Sequence, residues 1–165
     1  WETPFGVINI KKEIGYKIAK SFQKIINEAE PFLENKTIEV QLPFLQYTCR
    51  DRFRDLSFVP IIIKSADYDD IKNLASGVAS VKDDNVILII SSNVIGDEKC
   101  LEYIKELDSE GYFEYLSKNN LLNKDALALI AGIECAKSLG AERARLLNYC
   151  KSKEDNIIYG AFVFE

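Results

Sequence analysis

Histidine is missing from all 165 residues of this chain, and its absence removes a large part of enzyme chemistry. Any Ser-His-Asp arrangement is excluded within the chain, because no imidazole is present to take the proton of a serine. Softer first-row metals also favour imidazole and thiolate. The four cysteines, Cys49, Cys100, Cys135 and Cys150, do not make up the deficit. They lie far apart and form no Cys-x-x-Cys pair, whereas zinc and iron-sulfur sites normally show close pairs. Cys135 sits in an apolar helical run and reads as a small core residue. The expectation is therefore no metal and no cofactor. Methionine is absent too and the first residue is tryptophan, so the sequence is expected to begin downstream of a translation start.

No apolar run approaches the eighteen or more residues of a membrane-spanning helix, and nothing at Trp1 reads as a signal peptide. Clustered positive charge is also lacking. The net charge is −5, with acidic and basic residues interspersed, which argues for solubility and against nucleic-acid binding. Lys11, Lys12, Lys17, Lys20 and Lys24 share one segment and read as the solvated face of an amphipathic helix. Free thiols fit a reducing, cytoplasmic location. Abundant isoleucine, lysine and glutamate, with glutamine only at positions 23, 41 and 46, is the composition of a heat-adapted protein.

What is present is a chain with 47% apolar content, long enough to bury a core as one globular domain spanning residues 1–165. Helices and strands alternate along it. Val7 to Ile10 reads as a strand. Ile14, Ile18, Ala19, Phe22, Ile25 and Ile26 recur at helical spacing from Lys12 to Ala29, before Pro31. Leu56 to Lys64 is β-branched, with Pro60 marking an edge or a start. Tyr68 to Val81 reads as a helix capped by the Asp67 carboxylate. Val86 to Ser92, whose first five residues are unbroken by polarity, reads as a strand buried on both faces in the middle of a sheet. Helices follow over Glu98 to Leu107, Ser109 to Ser117 and Lys124 to Leu139, the last ended by Gly140. Arg143 to Cys150 and Ile157 to Phe164 read as closing strands.

Several short stretches stand in a specific order: Thr3-Pro4-Phe5-Gly6, Lys36 to Gln46, Phe58-Val59-Pro60-Ile61, Val86 to Asn93, Ser138-Leu139-Gly140-Ala141 and Tyr159-Gly160-Ala161. Together they resemble the Memo family over nearly the whole chain. Asn35, Lys36 and Thr37 stand where that family has Glu-His-Ser before Ile-Glu and Leu-Pro. Ser91-Ser92-Asn93 resembles its Ser-Ser-Asp, and Gly96 stands where a histidine follows. The place of a family cysteine falls near Leu121 and Leu122. Two further histidine motifs of the family belong to an N-terminal portion that would precede Trp1.

The resemblance implies an α/β sandwich with a mixed central sheet flanked by helices, similar to the class III extradiol dioxygenases. It also implies a helix over Lys36 to Gln46, capped by Thr37 with Glu39 in its first turn, although Ile38, Val40, Leu42 and Phe44 alternate as a strand would. Pro43 would cost a helix on the order of 3 kcal/mol unless it sits in the first turn. A vestigial cleft is expected from Lys36, Thr37, Glu39, Ser91, Ser92, Asn93 and Gly96, with Lys36, Asn93 and Gly96 close together. Asp97 and Glu98 read as helix-start charges rather than as metal ligands.

Three functions fit these residues. The first is a catalytically inactive, diverged Memo-like protein acting as a binding or partner subunit, with a paralogue or a second copy as partner. The second is a metal-dependent redox or dioxygenase-like enzyme completed by the N-terminal portion or by another chain. The third is a small-molecule binding module that reuses the cleft.

Overall fold

A computed structural model describes residues 1–22, 24, 36–92, 99–151 and 158–165. The chain divides into two compact units, Trp1–Ile62 and Ile63–Glu165.

The first unit opens with a tight hairpin. Strands β1 (Glu2–Thr3) and β2 (Gly6–Val7) pair antiparallel, Thr3 facing Gly6. Gly6 has φ 115°, which is left-handed space where a glycine carries no steric penalty. Strand β3 (Asn9–Ile10) pairs in parallel with β4 (Ser57–Phe58), and the Lys11 amide extends the pairing by donating to the Phe58 carbonyl at 2.9 Å. Trp1 meets Phe58 edge to face at 5.6 Å. Only Ser57 and Phe58 of the expected strand Leu56–Lys64 are in a ladder, consistent with Pro60 having no amide hydrogen to offer.

Helix α1 (Lys12–Ser21) buries Ile18 and exposes Lys12, Lys17 and Lys20, as its lysine face required. The rest of the expected helix to Ala29 lies outside the described residues, apart from Phe22 and an exposed Lys24. Helices α2 (Lys36–Glu39) and α3 (Leu42–Thr48) follow. The helical reading thus prevails over the strand-like alternation, because Pro43 falls in the first turn of α3, where its missing donor costs nothing. Thr37 lies inside α2 rather than capping it. A 3-10 turn, Arg50–Asp55, leads to β4.

In the second unit, α4 (Tyr68–Ala79) begins at Asp67, whose carboxylate accepts from the Asp70 amide at 2.8 Å. Asp70 returns the bond to the Asp67 amide, completing a reciprocal box. Helices α5 (Lys99–Lys105), α6 (Ser109–Lys118, capped by Asp108) and α7 (Lys124–Ser138, capped by Asn123) follow. Gly140, at φ 94°, ends α7. Ile71, Leu74 and Ala75 of α4, Tyr112 and Leu116 of α6, and Ile130 and Ile133 of α7 form the core. Strands β5 (Ala144–Lys151) and β6 (Ile158–Phe164) close the chain as an antiparallel hairpin, with an irregularity between Leu146 and Asn148.

The architecture is mixed α/β, but the described strands form three separate two-stranded sheets rather than one central mixed sheet. Val86 to Ser92 departs most from expectation. It belongs to no ladder among the described residues, and Ile87 and Ile89 are 79% and 46% exposed. A run buried on both faces needs hydrogen-bonded neighbours on its edges and cover on its faces. Here α7 supplies cover at Ile90, which packs on Gly132 so closely that a Cβ there would lie 2.5 Å from the Ile90 side chain.

Candidate functional site

The residues expected to form a cleft fall into three groups. Lys36 and Glu39 are exposed and Thr37 half-buried on α2 in the first unit. Ser91 and Ser92 are half-buried in the second unit, where the Ser92 hydroxyl donates to the Asp125 carbonyl at 2.6 Å, in the first turn of α7. Asn93, Gly96, Asp97 and Glu98 lie outside the described residues, and so does the expected proximity of Lys36, Asn93 and Gly96.

Near α3 the first unit has a polar anchor. Gln46 is buried, and its Nε2 donates to the Gly6 carbonyl at 3.3 Å. The Thr3 hydroxyl lies between the Gly6 carbonyl, at 2.9 Å, and Gln46 Oε1. These bonds satisfy a buried amide and fix α3 against the opening hairpin. Beside them is a shallow depression of about 320 Å³ lined by Phe5, Gln46, Tyr47 and Arg50, with the Arg50 guanidinium 5.9 Å from the Tyr47 ring centre. It carries no acid-base pair.

Among the described residues the densest polar cluster lies in the second unit, and it has no counterpart in the sequence reading. Ser109 is fully buried at the start of α6. Its hydroxyl is 2.9 Å from Tyr68 Oη on α4 and also bonds Glu134 Oε2 on α7. Tyr68 Oη is 3.2 Å from the same Glu134 oxygen, while Lys137 Nζ donates to Ser109 at 3.2 Å and to Glu134 at 3.1 Å. Burial, aided by the neighbouring Glu134 charge, pushes the Tyr68 phenol up to about 12 against a hydrogen bond from Ser109 that favours ionisation. Burial also opposes ionisation of Glu134, but bonds from Ser109, Lys137 and Tyr68 outweigh it and hold the carboxyl below its ordinary range. The only sequence signal was Glu134 and Lys137, spaced three apart and interrupting the apolar run of the last helix.

A serine within reach of a lysine can be the start of nucleophilic catalysis. Here the Ser109 oxygen is sealed from solvent, and the Lys137 ammonium is held as a donor between Ser109 and the Glu134 carboxylate. The cluster therefore ties three helices together and has no access for a substrate.

For metals, no group of three or more His, Cys, Asp or Glu side chains among the described residues is arranged to hold an ion. Cys100 and Cys135 are buried, and burial pushes the Cys135 thiol up to about 12, far from the thiolate that a metal requires. These residues do not fit the metal chemistry implied by the resemblance. Among the described residues, no helix is long and apolar enough to cross a membrane.

The class defined by these observations is a mixed α/β protein in which no assembled metal or nucleophile site stands among the described residues. Its family is plain from comparison: residues 1–163 match the Memo-like protein family, and the chain belongs to it. A MEMO1 family protein of Aquifex aeolicus is 28% identical over 99% of this chain and 64% of its own length. The Methanococcus vannielii relative is 29% identical, covering all of this chain and 65% of its own. One from Methanosarcina barkeri is 30% identical over 93% of this chain and 61% of its own. The chain therefore spans less than two thirds of the length of these relatives, and no solved structure matches it.

Proposed function

We propose that this chain is a diverged, catalytically inactive Memo-family protein that works by binding, as a partner subunit for a paralogue or for another copy of itself in the cytoplasm. The observation that carries the reading is the loss of histidine throughout, with an exposed lysine at position 36 where the family resemblance implies an imidazole. Family scaffold residues persist around that position: Pro43 starts α3 and Gln46 anchors it to the hairpin. Retained scaffold and absent ligands are what a fold gives when it is kept for its surfaces rather than its chemistry. The α/β sandwich of extradiol dioxygenase type, a single domain over 1–165, and a vestigial cleft from Lys36, Thr37, Glu39, Ser91, Ser92, Asn93 and Gly96 belong to the same proposal.

Elemental analysis of the purified chain after dialysis tests it. The expected result is iron, copper and zinc all far below one equivalent. A near-stoichiometric metal would overturn the inactive reading in favour of a metal enzyme.

A further inference from the structure

We draw no further inference here: the strongest candidate, the shallow depression in the first unit lined by Phe5, Gln46, Tyr47 and Arg50, carries nothing because the Gln46 amide is already bonded to Thr3 and Gly6 and nothing in the structure shows what covers the exposed rings of Phe5 and Tyr47.

Discussion

Two apolar stretches of the second unit carry nearly the same side chains and meet opposite fates. Ile130 and Ile133 of α7 are fully buried, whereas Ile87 and Ile89 of the run before it are largely open to solvent. Hydrophobicity does not separate them. A helix satisfies its internal backbone bonds within its own segment, so α7 needs only a packing surface, which α4 and α6 provide. A strand leaves its amides and carbonyls facing sideways and is complete only beside another strand. Fifteen residues of helix therefore settle within the unit, while the run at 86–90 enters no ladder among the described residues.

The sharpest test of that contrast is paired truncation. Ile130→Ala is expected to cost about 2–5 kcal/mol, because it removes buried methyl groups and leaves a cavity among α4, α6 and α7. Ile87→Ala should change stability by less than about 0.5 kcal/mol, since the side chain already faces water. Urea unfolding of both variants measures the difference. Equal losses would mean that the run before α7 is buried in solution and that the contrast is false.

Gly132→Ala probes a point where the two stretches touch. Alanine favours a helix over glycine by about 1 kcal/mol, but its methyl would enter the space held by Ile90. Overpacking costs typically 1–3 kcal/mol, so a small net loss is expected unless the segment lifts away from α7. Faster amide exchange over residues 86–90, with α7 itself unaltered, would show that it does.

The sequence reveals what is closed locally. Asp67 with Asp70 three residues on was legible as a helix start because the cap is made by near neighbours. Gly140 was legible as a stop because few residues other than glycine adopt φ 94° readily. Pro43 could be placed only by resemblance, since Val40 to Phe44 alternates like a strand while the helix is decided by the proline's position in the first turn. The central position expected of Val86 to Ser92 was not legible, because an apolar run states that it must be covered but not by what. The Ser109 cluster escaped for a different reason. Tyr68, Ser109 and Glu134 are separated by tens of residues, and no spacing rule joins a tyrosine, a serine and a glutamate. Of the expected cleft, Lys36, Thr37, Glu39, Ser91 and Ser92 can be placed within their own units, while Asn93 and Gly96 lie outside the described residues.

A smaller effect tests how completely α4 closes its own ends. Asp67→Ala removes the side-chain acceptor of the Asp70 amide and should cost about 1 kcal/mol. Asp67→Asn keeps an acceptor and should recover most of it. Thermal unfolding of the two variants checks the order, and equal losses would assign the effect to charge at the helix start rather than to the hydrogen bond.

The smallest expected effect is the pH dependence of Glu134, the polar exception on α7. Its carboxyl is held below its ordinary range in the folded protein, so the unfolded chain binds a proton first as pH falls. The linkage is then fixed in sign. The stabilisation is fully present above the ordinary carboxyl pKa of about 4.3 and is lost as pH falls through the lower folded value. Lys137, the cationic partner, is 40% exposed, and solvent screening keeps the contribution modest. Glu134→Gln should flatten the acid limb of the stability profile below about pH 4.3 and leave the slope above it unchanged. An acid limb as steep as that of the unmodified chain would show that Glu134 does not gain from Ser109, Lys137 and Tyr68 on folding, and the cluster would lose its claim to tie the three helices together.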